Sequence, residues 1–215
     1  MMELDVLREL WTAPPGLVGF LGVGIGIITN NQDPDKMGRV KAKLPWLSEE
    51  DESDWMRVVT PMAGKDRGLY FLPDVNDEVL VAFDHGDPQR AYVLGSLWNG
   101  QDTPPESNDD GKNNKRTLKS RSGHLIRLDD SEGGAKIEIV AAGGKNSIII
   151  NAQENTITIS ADSDLTIQSA QGKLKLSGKG VEITSQAEIK IEASQNLELK
   201  AGPQLNIKGQ TVNIN

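Results

Sequence analysis

Apolar residues in the second half of the chain come in pairs separated by one residue: Ile148/Ile150, Ile157/Ile159, Leu165/Ile167, Leu174/Leu176, Val181/Ile183, Ile189/Ile191, Leu197/Leu199, Leu205/Ile207 and Val212/Ile214. Successive pairs start 9, 8, 9, 7, 8, 8, 8 and 7 residues apart, a repeat of about eight. Ile126/Leu128 and Ile137/Ile139 precede them at the wider spacing of 11. Each unit predicts a short strand whose alternate side chains point one way, followed by a tight turn rich in Ser, Ala, Gly, Asn and Gln. Such a strand has an apolar face only two residues wide, so other strands must cover that face and pair with both edges.

Two arrangements satisfy this requirement. Three chains can intertwine so that successive octads occupy successive faces of a triangular prism, or one chain can coil alone with three octads per turn. The octads contain no aromatic residue. A single-chain coil encloses a wide interior that large side chains usually fill, whereas a narrow prism admits only Ile, Leu and Val near its axis, so the intertwined form is favoured. At the strand spacing of about 4.8 Å per octad, the prism is a needle roughly 50 Å long.

Residues 21–100 follow another rule. VGIGIITN, GRVKAKLPW, WMRVVTP, GLYFLP, DEVLVAFDHG and AYVLGSLWNG read as short strands between Gly and Asp/Pro turns. Five or six such strands in about 80 residues predict a small barrel, most simply an OB-fold. Residues 101–116, QDTPPESNDDGKNNKR, are too polar to build a core and read as a linker to residues 117–215. Residues 1–20 form an arm whose short amphipathic pattern, Leu4, Leu7, Leu10 and Trp11, ends at Pro14, Pro15 and Gly16. That face is too small to fold alone and predicts docking on a neighbour.

Composition sharpens this division. All nine aromatic residues, from Trp11 to Trp98, precede residue 100. Through Arg116 there are 12 Lys+Arg against 20 Asp+Glu, and from Thr117 onward 11 against 11, so the net charge of −8 belongs to the first part. An acidic barrel is poorly suited to a phosphate backbone, and no nucleic-acid partner is expected. The chain has no cysteine, which removes disulfides and thiolate metal sites. The opening MMELDVLREL lacks the basic and apolar regions of a secretory signal, so synthesis as a cytoplasmic chain is expected.

Four motifs invite chemistry, and each has a plainer explanation. Gly22, Gly24 and Gly26 are not followed by a helical pattern, so a bend or close approach explains them better than a nucleotide loop. Asp33, Asp35 and Gly38 match part of a calcium loop, but Met37 and Leu44 occupy ligand positions. His85 lies in a DHGDP turn, and His124 has no partner signature. The acidic run of Glu49, Glu50, Asp51, Glu52 and Asp54 reads as a solvated loop, or as a docking patch for a basic surface. No catalytic site, cofactor or metal is expected.

DPDKMGRVK, PWLSEEDESDWMRV, DEVLVAFDHGDP and YVLGSLWNG, followed by the octads, resemble the phage baseplate assembly protein V and VgrG spike family, over about residues 24–215. The resemblance implies an all-β homotrimer, an OB-fold followed by an intertwined triple-stranded β-helix. It implies a non-enzymatic spike, part of a phage tail or tail-like particle, that caps the tube at the baseplate and pierces the target envelope on sheath contraction. A hub or tube-adaptor protein would contact Leu4, Leu7 and Trp11. A PAAR-type tip protein would cap Val212, Ile214 and Asn215, and contact with the target membrane would be transient. The nine apolar pairs from Ile148/Ile150 to Val212/Ile214 would form the trimer core. The competing reading is an OB-fold binding module with a single-chain β-helix that recognises a surface glycan or a partner protein.

Overall fold

The computed structural model describes residues 22–48 and 50–214. Leu4, Leu7 and Trp11 of the arm, and Asn215 at the end, lie outside the described residues. The chain divides into two units, Met1–Asp162 and Ser163–Asn215. The described residues contain only strands, turns and one short 3₁₀ turn, so the protein is all-β.

The barrel is built from β1 (Val23–Asn30), β2 (Arg39–Lys43), β3 (Met56–Val58), β6 (Glu78–Phe83) and β7 (Ala91–Ser96), with a small hairpin of β4 (Ala63–Gly64) and β5 (Arg67–Gly68) between β3 and β6. The sheet closes in the order β1-β2-β3-β7-β6, with β3 and β7 parallel and the other pairs antiparallel. Alternation decides which side chains go inside. Val79, Val81 and Phe83 of β6 are buried, while Leu80 and Ala82 between them are only partly covered. Ile28, Val40, Met56 and Val93 complete the centre with little or no exposure.

GLYFLP does not become a ladder strand, contrary to the expectation for it. Only Gly68 of this segment lies in a strand, in the β4–β5 hairpin. Residues 69–72 follow as irregular chain, tied at its start by Leu69 N–H to the Met62 carbonyl (3.0 Å) and by the Thr60 hydroxyl to the Leu69 carbonyl (2.6 Å). Tyr70 and Phe71 are exposed, and Leu72 alone packs against the core. Pro73 follows directly and restricts the backbone before it.

Past the barrel, β8 (Lys115–Lys119), β9 (Leu125–Asp129), β10 (Lys136–Val140), β11 (Ser147–Asn151) and β12 (Thr156–Ser160) form one antiparallel meander. This differs from the expectation that strands from Thr117 onward hydrogen-bond to other chains. Antiparallel neighbours need only a short turn, and the turns here contain Gly123, Gly133, Gly143 and Asn155, all at positive φ. The irregular start of the repeat is thus a set of hairpins.

In the second unit the chain is extended between bends that begin at residues 170, 178, 186, 194, 202 and 210, an interval of eight throughout. Among its described residues no backbone-to-backbone hydrogen bond forms. Every one of these residues is exposed.

Candidate functional site

The residues that looked most like chemistry serve the barrel. The Asp33 carboxylate accepts hydrogen bonds from the backbone N–H groups of Asp35 (3.0 Å), Met37 (2.9 Å) and Arg39 (3.2 Å), and from Arg39 Nε (3.0 Å) and Nη2 (2.7 Å). The Arg39 guanidinium holds this carboxyl far below the usual carboxylate range, and Arg39 is raised in return. The loop that matched part of a calcium site is therefore closed by its own arginine. Gly24 has an equally local reason: a Cβ there would sit 2.6 Å from the Trp46 ring, whose Nε1 donates to the Ile25 carbonyl at 3.0 Å. His85 occupies a left-handed turn position (φ 51°) with an exposed side chain, and Asp87 accepts from Arg90 across that turn at 3.0 Å. Among the described residues no group of three His, Asp or Glu side chains could hold a metal ion.

The sheet β8–β12 has two unlike faces. Register brings Leu118, Ile126, Ile139, Ile148 and Ile159 into one row, and Leu128, Ile137, Ile150 and Ile157 into the next. Both rows lie on the same face, and their members are 39–69% exposed. The opposite face carries Thr117, Arg127 and Glu138 side by side, and it is the better-covered one: Glu138 is 8% exposed.

Glu106, from the segment read as a linker, supplies that cover. Its Oε1 accepts from Thr117 Oγ1 (2.8 Å), Arg127 Nε (2.9 Å) and Arg127 Nη2 (2.5 Å). Arg127 Nη1 continues to Glu138 (3.3 Å), which also pairs with Lys136 (3.0 Å). Burial opposes the charge on Glu106, but the hydrogen bonds from Thr117 and Arg127 outweigh it and leave the carboxyl below its ordinary value. The polar segment thus runs as a strap fastened to the sheet. Arg121, in the β8–β9 turn, reaches Asp74 beside the barrel at 3.3 Å. Composition revealed only that residues 101–116 cannot make a core. Nothing in spacing pointed to Glu106, whose main partner lies 21 residues away.

Within the second unit the octads have apolar pairs of the same kind, and all of them are exposed. Leu165, Ile167, Leu174, Leu176, Val181, Ile183, Ile189, Ile191, Leu197, Leu199, Leu205, Ile207, Val212 and Ile214 all belong to the exposed large hydrophobic residues, at 48–86%. Single exposed apolar residues are ordinary, whereas a periodic series of this length is uncommon on the surface of a monomer.

Residues 24–98 match the type VI secretion system/phage-baseplate injector OB domain. The chain is similar to the type VI secretion system spike protein VgrG1a of Pseudomonas aeruginosa, 31% identical over 129 residues, which are 54% of this chain and 20% of the relative. It is also similar to the spike protein VgrG3 of Vibrio cholerae, 30% identical over 123 residues (55% of this chain, 11% of the relative). With the actin cross-linking toxin VgrG1 of Vibrio cholerae it shares 27% identity over 173 residues (78% of this chain, 15% of the relative). The chain therefore spans a fifth or less of these relatives' length. The closed β1-β2-β3-β7-β6 barrel and the match that covers it identify residues 24–98 as an OB domain of the type VI secretion system/phage-baseplate injector kind, and the aligned spike proteins are similar to this chain over about half its length.

Proposed function

We propose that this chain is the central spike of a contractile injection system: a homotrimer whose octads intertwine into a triple-stranded β-helix that pierces the target envelope. One observation carries the reading. Among the described residues 163–214, the segments bend every eight residues, expose all their apolar pairs and form no backbone hydrogen bond with one another. A single-chain coil would pair each octad with one about 24 residues away. Strands without internal partners require partners from other chains, because unpaired backbone groups beside a dry apolar core are costly. Full burial of each Ile or Leu adds about 1.5–3 kcal/mol, and the threefold arrangement repeats that gain on every face.

On this reading the core consists of the pairs from Ile148/Ile150 to Val212/Ile214. The barrel, residues 21–100, sits toward the baseplate, and the strap at 101–116 leads into residues 117–215, along which the internally paired sheet β8–β12 comes first and the intertwined octads follow. A hub or tube-adaptor protein takes Leu4, Leu7 and Trp11, and a PAAR-type tip protein caps Val212, Ile214 and Asn215. The role is mechanical, with no catalytic residue, and the protein works as a component of a tail-like particle at the target envelope. Relatives named as spike proteins support this role.

Light scattering on the purified native chain, with an unboiled SDS gel alongside, tests it. A mass of three 23.3 kDa chains that resists SDS is expected. A monomer would sink the intertwined needle and favour a single-chain binding module.

A further inference from the structure

We propose that Lys175, Glu182, Lys190 and Glu198 form an interchain charge ladder that sets the register in which copies of this chain intertwine. The proposal rests on the trimeric needle above and adds what aligns its chains. The bends recur every eight residues and every apolar pair is made of Ile, Leu or Val, so a slip of one octad would leave the axis almost equally well packed. The outward residue between the two apolar positions is not so uniform. It is Thr in the octad of Leu165/Ile167, then Lys175, Glu182, Lys190 and Glu198, and then Asn in the octad of Leu205/Ile207.

In a threefold intertwined prism each octad lies beside the next octad of a neighbouring chain, about 4.8 Å away. The correct register sets Lys175 against a neighbour's Glu182, Glu182 against Lys190, and Lys190 against Glu198. A slip of one octad sets Lys on Lys and Glu on Glu, which is unfavourable for directly opposed side chains. Neutral residues bound the series on both sides, so the alternation has a defined start and end. The adjoining outward position adds Glu192 beside Lys200 in the next octad, with Lys200 beside Lys208 as the like-charged exception. Lys190 and Glu198 already have intrastrand ion partners, Glu192 at 2.7 Å and Lys200, and all of these side chains stand in solvent.

The full-length wild type is compared with Lys175→Glu/Lys190→Glu, and with a variant that also carries Glu182→Lys/Glu198→Lys. In the first variant the temperature at which SDS dissociates the oligomer should fall by on the order of 10 °C at low salt. The fourfold exchange, which restores alternation with reversed sign, should recover most of that loss, and 1 M salt should shrink the difference. Unchanged dissociation of the double variant, or a fourfold exchange no better than the double, overturns the ladder while a trimeric wild type leaves the needle standing. A monomeric wild type sinks both. Because the native chain has no cysteine, register can be read directly. Oxidised Glu182→Cys/Lys190→Cys should give covalent trimers that survive boiling, and Glu182→Cys alone should not cross-link. Efficient cross-linking of Glu182→Cys to its own copy would mean a different register.

Discussion

Val79 and Val81 in β6 and Ile189 and Ile191 in the octads obey the same local pattern, two apolar side chains flanking one residue that points the other way. The valines have 0% exposure, whereas the isoleucines have 51% and 61%. The difference lies in who supplies the other strands. The barrel closes on itself through β1, β2, β3, β7 and β6, so every inward side chain meets another of the same chain. The octads lack such neighbours, and the sheet β8–β12 stands between the two cases, with its backbone paired internally and its apolar rows open. A chain can thus satisfy its hydrogen bonds and its hydrophobic faces in separate steps. Here the first step extends to β12, leaving only the outer edges of β8 and β12 open in that sheet, and the second is complete only in the barrel.

The strongest way to break this comparison is Ile189→Asp. In the proposed trimer three carboxylates would meet near a dry axis, and each uncompensated buried charge costs about 3–5 kcal/mol or more. We expect loss of SDS resistance and a lower native mass, with the barrel still folded by circular dichroism. An unchanged, heat-resistant oligomer would place Ile189 outside the core.

A pair of truncations sharpens the contrast. Ile28→Ala, at a fully buried position, should destabilise the barrel by about 2–5 kcal/mol in urea unfolding, with a midpoint that does not depend on protein concentration. Ile183→Ala should leave the barrel transition in place and weaken only the concentration-dependent dissociation of the oligomer. Equal effects of both variants on the barrel would erase the distinction.

Glu106→Gln has the smallest expected effect, about 1 kcal/mol, since the charge-assisted part of the strap is lost while a polar contact remains. Its sign with pH follows from the lowered carboxyl pKa. Stability from the ionised group is present above the ordinary value of 4.5 and is lost as pH falls through the lower folded-state value. Thermal melts of the wild type should therefore decline on acidification below about pH 4.5, and the Gln variant should show a shallower decline over that range.

The sequence alone determined the barrel strands β1, β2, β3, β6 and β7 and the period of eight, because each rests on local alternation and turn residues that operate within a few positions. It marked Asp33, Asp35 and Gly24 as turn or close-approach residues, but the contacts behind that reading, Arg39 closing the loop and Trp46 lying over Gly24, required the folded chain. Tertiary structure decided the rest. GLYFLP has the apolar content of a strand, yet the barrel closes without it and leaves no edge of its own free to receive it. The paired isoleucines of β10–β12 carry the same signature as the later octads, yet short turns let them pair antiparallel within one chain. The partnership of Glu106 with Arg127 depends on how a polar segment lies across a sheet. Periodicity records which way a side chain points, whereas the partner it meets is set by chain closure over distances that local pattern does not reach.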